Sequence, residues 1–232
     1  MFDGFYDTSS RVPLDRVYES GVALYPNYND PICPVPILQG HWEFPALLSL
    51  YCEVARKRKP MRVVEIGSLL GGTLWHWIQH APQGSFITSI DLPLIDEDPR
   101  RLQQKDGQDY LWKSWADQKW VNLEVISGNS HDSQVLNQVA SHGPIDFLFI
   151  DGDYSYEGSK LDFCNYGDLV KSGGIIGLHD ILFSQYWTST EVYKLWEEIK
   201  AAGYITQEFY TSRNQIYPVG GAALGIGVIF KK

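Results

Sequence analysis

The chain has 232 residues, 44% of them hydrophobic, and a formal net charge of −9. That length suits one domain with an N-terminal extension, and that apolar share supports a buried core. The negative charge argues against nucleic acid as the main partner, and no apolar run reaches the ~18 residues that would cross a membrane.

Residues 1–40 are rich in Pro, Tyr and Asn, as in Tyr25-Pro26-Asn27-Tyr28-Asn29-Asp30-Pro31. They read as an irregular extension or lid, with the main domain over 41–232. The N-terminus carries no basic and apolar leader pattern. Cys33, Cys52 and Cys164 are scattered without metal-ligand spacing, which points to reduced or buried thiols in a cytoplasmic protein. Residues 42–58 form an amphipathic helix, with Leu47, Leu48, Leu50, Tyr51, Val54 and Ala55 at helical spacing and Pro60 as its stop. The basic run Arg56-Lys57-Arg58-Lys59 then sits at a helix end, where cations favour the macrodipole.

The next stretch organises the chain. Val63, Val64 and Ile66 read as a buried parallel strand, with Glu65 near its end. Gly67, Gly71 and Gly72 follow, and residues 73–80 read as a helix. Strand, acid, glycine turn and helix together predict a ligand crevice at a strand's carboxyl end. The spacing is neither Gly-x-Gly-x-x-Gly nor a P-loop, so no pyrophosphate site is expected. A carboxylate beside the turn repels phosphate and welcomes an ammonium group.

Residues 85–92 form a second strand ending at Asp91, 20 residues after Gly71, where an acid can accept hydrogen bonds from ribose hydroxyls. Residues 96–120 read as a long crossover helix whose Trp112, Trp115 and Trp120 are expected to pack on the sheet, with an aromatic wall to a substrate pocket as the lesser alternative. Residues 122–128 are a third strand running into Asn129-Ser130-His131-Asp132. His131 is either a structural histidine or an adenine contact. Residues 146–150 are a fourth strand, delivering Asp151-Gly152-Asp153-Tyr154-Ser155-Tyr156-Glu157 to its tip. A helix over 158–169 follows. A fifth strand over 173–178 then ends in His179-Asp180. A last helix over 190–202 precedes two extended runs, 204–210 and 224–230, which no helix separates and which should pair antiparallel. The fold expected is α/β, a doubly wound, mostly parallel seven-stranded sheet with a C-terminal antiparallel hairpin.

With those residues placed, the chain resembles the class I S-adenosylmethionine-dependent O-methyltransferases. It is similar to methyltransferase family 24, the group of sugar O-methyltransferases and cephalosporin-hydroxylase-like proteins. Val64-Glu65-Ile66-Gly67-Ser68-Leu69-Leu70-Gly71-Gly72-Thr73 resembles the family's first motif, Gly128-Asn129-Ser130-His131-Asp132 its adenine turn, and Asp151-Gly152-Asp153-Tyr154-Ser155-Tyr156-Glu157 its fourth-strand signature, with Tyr154 where histidine is usual. The resemblance implies S-adenosylmethionine bound by Glu65, Gly67, Ser68, Gly71, Thr73, Asp91, Ser130, His131 and Asp151. It implies a divalent ion such as Mg²⁺ or Mn²⁺ on Asp151, His179 and Asp180, polarising an acceptor hydroxyl. Asp153 is then the expected base. Tyr154 is a poor base at an ordinary phenol pKa near ~10, and is expected to shape the pocket or donate a hydrogen bond. The implied acceptor is a sugar or other small hydroxylated molecule, with neither nucleic acid nor membrane as partner and room for a homo-oligomer. A non-catalytic S-adenosylmethionine-binding protein of the same fold is the alternative.

Overall fold

The computed structural model describes residues 43–69, 71–93, 99–184, 188–210 and 225–232. The expected extension over 1–40, Cys33 and the whole 211–223 loop lie outside them.

The chain opens on α1 (Glu43–Lys57), with Glu43 in its first turn and Arg56 and Lys57 in its last, complementing the helix dipole. It continues through β1 (Arg62–Ile66), α2 (Gly72–His80), β2 (Phe86–Asp91), α3 (Pro99–Lys119), β3 (Asn122–Ser127) and α4 (Ser133–Ser141). Then follow β4 (Ile145–Ile150), α5 (Tyr156–Gly167), β5 (Val170–His179), α6 (Val192–Ala201), β6 (Ile205–Phe209) and β7 (Ile226–Phe230). The seven strands form one sheet in the order β3-β2-β1-β4-β5-β7-β6. The pairs β2–β3, β1–β2, β1–β4 and β4–β5 are parallel. β7 runs antiparallel to both β5 and β6, so the expected hairpin is present.

The alternation along the central strands sorts the core into two layers. Val63, Phe147 and Phe149 face Leu47, Tyr51, Trp77 and Trp112 of α1, α2 and α3. Val64, Leu148 and Ile150 face Val139, Tyr166 and Trp196 of α4, α5 and α6. Helices cover both faces, and β1 and β4 are buried along their whole length, as parallel strands require. The chain crosses from one side of the sheet to the other between β1 and β4, which opens a crevice above their carboxyl ends.

Three expectations are corrected. Trp112 and Trp115 are buried, but Trp120 is 72% exposed, because the chain turns through φ +57° there and throws the indole outward. α5 starts at Tyr156 rather than 158, because Ser155 caps it by accepting the Gly158 N–H at 3.1 Å. β5 begins at Val170 rather than 173, resuming its pairing with β4 after a register shift. Among the described residues no helix is long and apolar enough to cross a membrane.

Candidate active site

A cavity of about 530 Å³ sits above the carboxyl ends of β1 to β5. Its walls come from the loops that follow those strands, which backbone hydrogen bonds tie together. The Gly67 N–H reaches the Ile90 carbonyl at 2.8 Å, and the Asp151 N–H reaches that of Ile66 at 2.8 Å. Gly67 has φ +85°, and a Cβ there would lie 2.1 Å from the Asp151 carbonyl oxygen. Only glycine lets these two loops approach so closely.

Gly67, Ser68, Thr73, Asp91, Ser130, His131, Asp151, Asp153, Tyr154 and His179 all line the cavity. Gly71 caps α2, behind the wall. Glu65 is placed differently from expectation. It is 0% exposed and accepts hydrogen bonds from Ser68 Oγ at 2.6 Å, Thr73 Oγ1 at 2.6 Å and Trp77 Nε1 at 2.7 Å. Burial pushes its carboxyl up to about 7, against the pull of those three donors. Glu65 therefore fastens the glycine turn to α2 from beneath, and both of its oxygens are engaged inside the protein.

Asp91 does reach the cavity. Its Oδ2 accepts the Leu69 N–H at 2.6 Å. Burial raises its carboxyl, and the N–H groups of Leu69, Leu92 and Ser68 oppose that rise. On the far side the Tyr166 hydroxyl holds the Ser130 carbonyl at 2.8 Å. The His131 ring lies 3.2 Å from the Gly158 carbonyl and 3.4 Å from Asp162, whose carboxyl burial also raises. His131 is thus both anchored and part of the wall.

The profile of the family described as Methyltransferase domain matches residues 64–181, about half of the chain. The chain belongs to this methyltransferase family. Its sheet order is that of the class I S-adenosylmethionine-dependent fold, and solved structures agree. MycE methyltransferase from the mycinamycin biosynthetic pathway, in complex with Mg, SAH and mycinamycin VI, superposes with a TM-score of 0.54 at 19% identity. That likeness covers 96% of this chain, which spans only 54% of the MycE chain. An O-methyltransferase from Bacillus cereus in complex with SAH superposes with a TM-score of 0.55 at 15% identity, over 96% of this chain and 94% of that one. A search of curated proteins found no match.

The other part of the cavity wall is built on the β4 and β5 tips. Asp151 Oδ1 accepts from His179 Nδ1 at 2.8 Å and from the Tyr154 hydroxyl at 3.3 Å. Neighbouring strand residues point to opposite faces, but β5 ends at His179, and φ +60° at Asp180 turns its carboxylate back to 3.4 Å from His179 Nδ1. Burial works against a charge on His179. Asp151 and Asp180 more than offset it and hold the imidazole up to about 10. Tyr154 is driven the other way from a useful base: Asp151, burial and Asp180 all raise its phenol. Asp153 Oδ1 accepts the Ser155 N–H at 2.8 Å.

The trio expected to hold a metal is gathered, yet it does not fit one. A carboxylate only accepts, so the His179 Nδ1 facing Asp151 and Asp180 donates and has no lone pair for an ion lying between those two carboxylates. Among the described residues no group of three or more His, Cys, Asp or Glu is disposed to hold a metal.

Four residues of this region escaped the sequence reading. Glu43, 1% exposed on α1, is a third acid acting on His179. Its charge in an apolar helix was visible, but its neighbour was not. Asp162 is buried behind His131. Leu69 and Leu92, 49% and 61% exposed, form apolar lips at the mouth. An apolar residue in a turn is the only local sign of them.

Proposed function

We propose that this methyltransferase transfers the methyl group of S-adenosylmethionine to a hydroxyl of a small molecule, a sugar or other polyol. One observation carries the reading. A single cavity is lined both by Asp91, the proposed ribose acid, and by the Asp151, Asp153, Tyr154 and His179 cluster. Its size suits a nucleoside-sized ligand beside a small acceptor. The close glycine turn at Gly67 supplies the backbone approach such a ligand needs, and Ser130 and His131, the proposed adenine contacts, line the same cavity. The neighbours crystallised with SAH, MycE among them with mycinamycin VI, support the same assignment.

The donor supplies an activated methyl on sulfur. The acceptor oxygen forms the new bond to carbon, the carbon–sulfur bond breaks, and the electron pair leaves with sulfur. The protein must hold the oxygen in line and remove its proton. Asp153 is the proposed base: it lines the cavity as a carboxylate, with Oδ1 steadied by the Ser155 N–H. Tyr154 serves as a hydrogen-bond donor to Asp151. Divalent-ion assistance has no part in this proposal, because the donor set does not fit an ion. The free thiols of Cys52 and Cys164 support action in a reducing cytoplasm.

Asp153→Asn tests the assignment. Expected are methyl transfer lowered by roughly 10²–10⁴-fold and unchanged SAH affinity by calorimetry. Wild-type transfer in that variant removes Asp153 as base. A second reading, a non-catalytic binder, is favoured by Tyr154 standing where the resemblance leads one to expect histidine. SAH binding without turnover across a broad panel of hydroxyl acceptors would establish it.

A further inference from the structure

Around His179 the cavity departs from a metal enzyme in a specific way. Its Nδ1 stands 2.8 Å from Asp151 Oδ1 and 3.4 Å from Asp180 Oδ1, each on the tip of a different β-strand. The Tyr154 hydroxyl donates to the same Asp151 oxygen at 3.3 Å. Glu43, buried on α1, acts on the ring as a third acid. Carboxylates thus converge on one imidazole that is itself largely enclosed. Its other nitrogen, Nε2, is buried and has no hydrogen-bond partner among the described residues.

Resting on the methyl-transfer reading above, we propose that the His179 ring occupies the place of a divalent ion, so that the Asp151–His179–Asp180 cluster organises the acceptor without metal. The physical case is one of donors. Two carboxylates and a water-filled gap make an oxygen cage for Mg²⁺ or Mn²⁺. The same two carboxylates closed on an N–H make an ion pair, and the space between them holds the ring's own proton. The ring is fixed at a strand end, so it presents one constant geometry to the acceptor.

The consequence is a methyltransferase indifferent to chelators, and a metal site one substitution away. Mn²⁺ titration of the full-length protein, followed by electron paramagnetic resonance, reads this without any turnover assay. Wild type is expected to show no saturable Mn²⁺ binding. His179→Asp replaces the internal donor with an oxygen ligand and is expected to gain one saturable site. Its fold is checked by circular dichroism and SAH calorimetry. A saturable site in wild type that Asp151→Asn abolishes would overturn the proposal, as would a folded His179→Asp protein that binds no Mn²⁺. The wild-type titration stands even if His179→Asp fails to fold. Once an acceptor is found, transfer is expected to survive EDTA, and loss of transfer restored by added Mn²⁺ would also overturn it. Failure to bind SAH would instead strike the methyl-transfer reading and leave the Mn²⁺ result standing.

Discussion

Glu65 shows how one residue changes meaning between sequence and structure. In the sequence it is an acid at a strand end beside a glycine turn, and the ligand is the obvious partner. In the fold Ser68, Thr73 and Trp77 surround it. Its carboxyl rises from 4.5 to about 7, so the folded protein binds the proton more tightly than the unfolded chain. The resulting stability is fully present below pH 4.5 and is lost as pH rises through about 7, a change on the order of 3 kcal/mol. Glu65→Gln removes the titration and keeps an oxygen for the Thr73 and Trp77 donors, while the Ser68 hydroxyl turns to accept. Thermal denaturation between pH 4 and 8 should therefore show a flatter profile for Glu65→Gln than for wild type. A parallel profile would mean that Glu65 does not titrate there. Asp91 makes the complementary case, since its place at the cavity was readable from its position after the second strand. Asp91→Ala is expected to weaken SAH binding by roughly 10-fold or more, about the loss of a charge-assisted hydrogen bond.

Among the elements, α5 makes the sharpest prediction. Glycine inside a helix ordinarily costs about 1 kcal/mol against alanine. Gly158 reverses that rule, because a Cβ there would lie 2.1 Å from the Asp153 carboxyl. The helix start and the proposed base are packed against each other, and Ser155 caps the same turn. Gly158→Ala is expected to destabilise by about 1–3 kcal/mol and to reduce transfer by displacing Asp153. Urea denaturation and the rate of transfer check the two halves separately, and a stabilised, fully active variant would show that Asp153 moves freely. The same glycine hid the helix start in the sequence, since a poor helix former inside the first turn looks like a boundary. The 3.6-residue pattern of α1 had no such interruption and was read to within one residue at each end.

For the molecule as a whole, the crevice depends on β1 and β4 lying side by side. No local pattern predicts that adjacency; it follows from burying both faces of each strand under helices. Phe147 of β4 packs edge-on against Tyr51 of α1, with ring centroids 4.9 Å apart, and against Trp77 of α2 at 5.0 Å. Phe147→Ala should cost about 3–5 kcal/mol and loosen the cavity floor, measured as a lower midpoint of denaturation and weaker SAH binding. Trp120→Ser, at an exposed site, should stay within about 0.5 kcal/mol of wild type. A ligand that binds only the folded state also reports on the whole. SAH at about a hundred times its dissociation constant should add ~2.7 kcal/mol and raise Tm by roughly 5–10 °C, and Asp91→Ala should blunt the rise.

By itself the sequence determined the seven strands, the helices between them, the antiparallel last pair and the acids at successive strand tips. Those features rest on local periodicity, on glycine placement and on short-range order along the chain, which any reader of the residues can see. Tertiary structure alone decided which acids face the cavity and which are engaged inside the protein. Glu65 turned inward because Trp77, twelve residues away, brings its N–H there. Asp180 joined His179 because one left-handed backbone angle reversed its side chain. Glu43 came to His179 from the other end of the domain. Partners so distant in sequence leave no periodic trace, and a carboxylate's charge and hydrogen bonding follow from the partner it meets in the folded chain.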